Sequence, residues 1–211
     1  MPLALLLFQA VVGCGSDPRL RVDDGVLERV SIESQLWLFD AENELDIAID
    51  DRDQVLDALS ANRRAAERTE RDRELAKRDL EVAREKGRED RVEVARLRIR
   101  ATEAEADWLE AKKSALEVGL QRTERALVAA RARFELAKAR LVKRTKAPGS
   151  SSLDVGAYEA QVADYEDRVA ELDEAMIEAE TRAEDREQAW VSTAAELRAK
   201  SRGAFGSRWL D

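Results

Sequence analysis

Histidine does not occur anywhere in this chain of 211 residues. Its absence removes the commonest general base at neutral pH and the commonest metal ligand. Cysteine occurs once, at Cys14, so no disulfide can close within the chain. Three prolines and nine glycines leave few places for loops, and aromatic residues supply only 5% of the chain, far below what a compact mixed domain uses. No Gly-rich phosphate loop, nucleophile elbow or clustered ligand set is present. Carboxylates are abundant, but at this density they read as solvated helix faces; acid-base catalysis needs a desolvated pocket that moves a pKa. The expectation is a protein that is not an enzyme and takes no metal, organic cofactor or small-molecule substrate.

What is present is the vocabulary of long helices. Ala, Glu, Arg and Leu dominate and 38% of residues are charged, with both signs interspersed. Acidic residues outnumber basic ones by 45 to 36, a net charge of -9. Phosphate-rich partners are therefore repelled on average, which argues against nucleic acid and against a general attraction to anionic membrane surfaces. Basic runs such as "RTKAP" look too short to reverse that.

The one uncharged, apolar stretch runs from Leu3 to Val12. At about ten residues it suits the h-region of a signal peptide and is too short to cross a bilayer core of ~30 Å. It ends in Val11, Val12, Gly13 and Cys14, and this ending resembles the lipobox of bacterial lipoproteins. The resemblance implies cleavage before Cys14, diacylglycerol on its sulfur, acylation of the new amino terminus with palmitate-type chains, and no other cofactor. Gly15 in place of Asp after the cysteine resembles the sorting pattern for the outer membrane, so the implied location is the bacterial cell envelope, lipid-anchored, on the periplasmic face of that membrane. The alternative, a buried thiol in an apolar helix, requires "GCGSDP" to remain helical; two glycines and a proline oppose it.

Heptad spacing organises the rest. One stripe runs from Val92 through Ala95, Ile99, Leu109, Leu116, Leu127 and Phe134 to Leu141; another runs from Val155 through Tyr158, Tyr165, Leu172 and Trp190 to Leu197. "KAPGSSS" separates them and predicts a turn near 147–152. Folding there sets Leu141 opposite Tyr158, Phe134 opposite Tyr165 and Leu109 opposite Trp190, with Lys113 and Arg186 forming a shared polar layer. The middle helix has a second stripe, with Leu97, Ala101, Trp108, Ala115, Ala129 and Leu136. It calls for another neighbour, the segment holding Leu38, Leu45, Ile49, Leu56, Leu59, Ala66 and Leu80, folded back near Gly87. The expected fold is all-α, an elongated antiparallel coiled coil of three long helices running up, down and up. A single helix of about 120 residues paired with a second copy is the alternative.

The chain is thus divided into a signal peptide (1–13), a short tether (14–25), a helical coiled-coil rod (26–200) and a flexible tail (201–211) with Phe205, Trp209 and Leu210 as docking candidates. "LWLF", Leu36 to Phe39, reads as core near the bundle end, or else as an interface. "ARFELAKARLVKRTKAP", Ala132 to Pro148, resembles the helical hairpins of membrane fusion proteins, the adaptors of efflux pumps, though no lipoyl-like or barrel segment follows. Expected partners are the membrane, through the lipid, and a protein partner or second copy through helical faces. The expected task is a non-catalytic scaffold; an envelope transport adaptor and a periplasmic holdase chaperone are the alternatives.

Overall fold

The computed structural model describes residues 18–201. Cys14, with Val11, Val12 and Gly13, and the tail residues Phe205, Trp209 and Leu210 lie outside them. The described residues are all-α, with no strand among them. Two short helices, α1 (Asp24–Leu27) and α2 (Ile32–Gln35), lead through a 3-10 turn (Leu36–Leu38) into α3 (Phe39–Glu85); α4 (Glu89–Thr145), a second 3-10 turn (Ser150–Ser152), α5 (Val155–Ala170) and α6 (Asp173–Ser201) follow. The 47 residues of α3 and 57 of α4 correspond to roughly 70 and 85 Å at ~1.5 Å per residue.

Both long helices end in the same hydrogen-bonded closure. After α3, the amide of Gly87 donates to Arg84 O at 3.1 Å and that of Arg88 to Ala83 O at 3.0 Å, with Gly87 at φ 61°. Glycine bears that left-handed conformation without a Cβ penalty, so the helix stops instead of continuing through "REKGRED". After α4, Lys146 takes the equivalent position at φ 52°, with its amide on Lys143 O and the Ala147 amide on Val142 O. Pro148 and Gly149, the latter at φ 96°, then turn the chain, and the Asp154 carboxylate accepts from the Gly156 and Ala157 amides to cap α5.

Contacts divide the chain into two compact units, Met1–Ile47 with Glu124–Glu166, and Ala48–Thr123 with Asp167–Asp211. In the first, α4 buries Leu127, Ala129, Ala130, Ala132, Leu136, Ala139, Leu141 and Val142, while α5 buries Tyr158, Val162 and Tyr165. Ion pairs join Arg133 to Glu166 at 2.6 Å and Arg140 to Glu159 at 2.7 Å. Each lies one residue to the side of an expected pair, Phe134 with Tyr165 and Leu141 with Tyr158, in the same register. Exposed pairs of this kind mark register more than they stabilise it.

The second unit packs α3, α4 and α6 around small residues. Leu97 and Ala101 of α4 meet Ala194 and Leu197 of α6. A Cβ placed on Gly119 would lie 3.4 Å from Met176 and 4.0 Å from Val55, so α6 and α3 both approach α4 there. On this unit the two α4 stripes are exchanged relative to expectation. Trp108 stacks on Trp190, with centroids 4.6 Å apart and rings 4° from parallel, whereas Leu109 turns its carbonyl to the Asn62 amide of α3 at 2.9 Å. Residue numbering along an antiparallel pair determines register, but two stripes on nearly opposite faces satisfy it equally well, and the stacking of two large rings distinguishes them.

The buried face of α3 also differs. Leu56 is 40% exposed and Ala66 is exposed, while Asn62, Thr69, Ala76 and Ala83 are buried at steps of seven, with Asp72 beside them. The seam is genuinely heptad, but half of its members are polar, so a search for apolar side chains drifts off it. Lys113 and Arg186 form no polar layer. Lys113 reaches Glu110 at 3.4 Å and Glu117 at 3.9 Å on its own helix, and Arg186 is exposed. Pairing along one helix keeps the ammonium hydrated and avoids the desolvation that a buried layer of two cations demands. Finally, the expected third long helix is divided in two: the Leu172 amide donates to Val169 O in a tightened turn that separates α5 from α6.

Candidate interaction surface

Residues 14–25 read from the sequence as a short tether; within them, residues 19–22 are hydrogen-bonded onto the first unit. The Leu20 amide donates to Gln161 Oε1 at 2.8 Å and its carbonyl accepts from Gln161 Nε2 at 3.4 Å. The Tyr158 hydroxyl donates to Arg21 O at 2.9 Å, and the Val22 amide donates to Glu135 Oε2 at 2.7 Å. Val22 is 4% exposed, and Glu135 also holds Lys138 at 2.9 Å. This segment, which belongs to no helix or sheet, has its backbone groups satisfied by side chains from two helices.

Burial, with a smaller contribution from the Glu135 carboxylate, raises the Tyr158 phenol above its usual 10.0. The folded chain holds that proton more tightly than the unfolded chain, so its stabilising contribution is complete below about pH 10 and is lost as pH rises through the folded value. Denaturant midpoints measured from pH 9 to 11.5 should therefore fall more steeply for the native chain than for Tyr158→Phe. At neutral pH that substitution should cost about 1 kcal/mol, the worth of the hydrogen bond to Arg21. Equal alkaline slopes for the two chains would refute the assignment.

Close to this clamp in sequence lies the surface that the "LWLF" motif forms. Leu38 is buried, as a core reading requires, but Leu36, Trp37 and Phe39 are 71%, 63% and 68% exposed, and Ile32 is 80% exposed. The motif is a divided one: a helical run cannot direct four successive side chains to one side, and only Leu38 turns inward. The Arg144 guanidinium near the end of α4 lies 4.0 Å from the Trp37 ring centroid. The i, i+4, i+7 spacing of Ile32, Leu36 and Phe39 is the sequence signal that marks this face, and the expectation of a core passed over it.

A groove in the second unit is lined by Trp108, Lys112, Leu116, Met176 and Glu180, with the Lys112 ammonium 5.0 Å from the Trp108 ring. Of the two stacked tryptophans, Trp108 lines it. Among the described residues no group of three or more His, Cys, Asp or Glu side chains is arranged to hold a metal ion, and no helix is long and apolar enough to cross a membrane. Comparison of the chain with protein-family models, with curated proteins and with solved structures found no match.

Proposed function

We propose that this chain is a cell-envelope lipoprotein, attached by acyl chains on Cys14, whose helical body acts as a non-catalytic scaffold on the periplasmic face of the outer membrane. The observation that carries this reading is the order of the first fourteen residues, an apolar run of h-region length closed by Val11, Val12, Gly13 and Cys14. The helical body supports it by its surface. It offers charged helix faces and an exposed apolar patch, features suited to holding partners at a membrane. Two or more acyl chains give stable attachment where one is marginal.

Fractionation of cells expressing the native chain or Cys14→Ser, with the intact mass of the extracted native protein, tests the reading. The expected result is a native mass fitting cleavage before Cys14 plus acyl chains, with membrane retention at least about tenfold lower in the variant, as loss of the acyl chains demands. An unmodified native chain that retains Met1 and partitions like the variant would exclude it.

A further inference from the structure

Ile32, Leu36 and Phe39 share one face of the run that leads into α3, and Trp37 stands beside them. Four large apolar side chains in water form a patch of the kind that protein surfaces avoid unless something occupies it. The same unit presents a cationic border. From Leu136 to Leu153 the chain carries lysine and arginine but no aspartate or glutamate. Lys138 and Arg140 are in ion pairs with Glu135 and Glu159. Lys143, Arg144 and Lys146 are exposed and take part in no ion pair among the described residues. Arg144 joins the two halves by lying on the Trp37 ring.

We propose that this surface docks on an anionic lipid bilayer, with Ile32, Leu36, Trp37 and Phe39 entering the boundary between headgroups and acyl chains, and Lys143, Arg144 and Lys146 meeting lipid phosphates. The chemistry matches that boundary. Tryptophan concentrates at headgroup depth, and the long basic side chains keep their charges in the polar layer while their stems cover apolar surface. The net charge of -9 does not oppose this, because charges further than a Debye length of ~8 Å from the surface are largely screened at physiological salt. Between Ile32 and Phe39 the one acid is Glu33, against three cations beside the run, and Asp40 and Glu42 follow in the first turn of α3. A two-fold contact with a second copy fits less well, since it brings each cationic border against its own image. One further support rests on the lipoprotein reading: four peptide units separate Cys14 from Pro18, a reach of at most ~14 Å, so an acylated Cys14 holds the clamped segment of this same unit close to the bilayer.

The test uses the full chain as Cys14→Ser/Leu36→Cys, which carries one thiol and no acylation site, with a nitroxide on residue 36. A matched chain, Cys14→Ser/Asp57→Cys, places the label on an exposed position of α3 in the second unit. On vesicles of phosphatidylethanolamine and phosphatidylglycerol, a side chain seated ~5–10 Å into the boundary should collide about fivefold less often with a water-soluble relaxant and more often with oxygen. The label at 57 should not change. In the variant that also carries Lys143→Gln, Arg144→Gln and Lys146→Gln, protection at 36 should require a higher fraction of phosphatidylglycerol.

A label at 36 that stays water-exposed on vesicles to which the chain binds overturns the proposal. So does a label already immobilised without vesicles, which would mean that a second copy or an undescribed segment such as the tail covers the patch. Equal protection on phosphatidylcholine alone, unaltered by the charge substitutions, removes the anionic surface from it. Because every arm lacks Cys14, a failure of the acylation reading leaves these results intact, and a failure here leaves the acylation experiment intact.

Discussion

Ala132→Glu should destabilise the folded chain by about 4 kcal/mol, the scale of a buried charge with no partner. Ala132 is fully buried in the C-terminal third of α4, where Ala129, Ala130, Leu136 and Ala139 are buried as well. A seam of alanines brings backbones close together, so no space exists for a longer side chain to reach water, and the carboxylate must either separate the helices or stay desolvated. Urea unfolding followed by helical circular dichroism measures the loss, and Ser114→Glu is the control, because Ser114 is exposed on the same helix and surface changes of this kind stay within about 0.5 kcal/mol. Equal midpoints for the two variants would mean that Ala132 faces solvent.

Leu197→Ala should cost about 3 kcal/mol through a different mechanism, the cavity left in a closely packed cluster. Leu197 is 1% exposed and packs with Leu97, Ala101 and Ala194. The partner of the void is specific, which makes the experiment more discriminating than a single truncation. Adding Ala101→Leu to Leu197→Ala returns the missing volume from α4, so the double variant should recover more than half of the loss, whereas Ala101→Leu alone overpacks the seam and destabilises by about 1–3 kcal/mol. Additive losses in the double variant would mean that these residues do not face one another.

These experiments probe a fold whose outline the sequence carried in its punctuation. Gly87 and the Lys146–Gly149 stretch stop helices because left-handed residues and a proline cannot continue them, and those signals are local. Register was legible as well: Arg133 and Arg140 find Glu166 and Glu159 where the heptads put Phe134 and Leu141. What stayed hidden depends on longer-range choices. Which α4 stripe meets which neighbour is decided by the fit of Trp108 on Trp190, and the polar seam of Asn62, Thr69 and Asp72 has no hydrophobic signature. The tightened turn at Leu172 contains neither glycine nor proline, so nothing local announced it.

The exposed patch was half legible. "LWLF" was noticed, but burial is not a property of a tetrapeptide, and the cation that lies on Trp37 comes from more than a hundred residues away in sequence. The clamped segment at 19–22 was harder still. Its partners Glu135, Tyr158 and Gln161 are residues that composition assigns to solvated faces and core, and only the tertiary arrangement makes them acceptors and donors for a backbone.

That clamped segment also bears on how the molecule would carry mechanical load. Tension applied to the chain ahead of Pro18 does not begin by peeling a helix end. It meets Leu20, Arg21 and Val22, whose hydrogen bonds to Gln161, Tyr158 and Glu135 share it between α5 and α4. A pull on the segment is therefore passed into two helices near the turn that joins them.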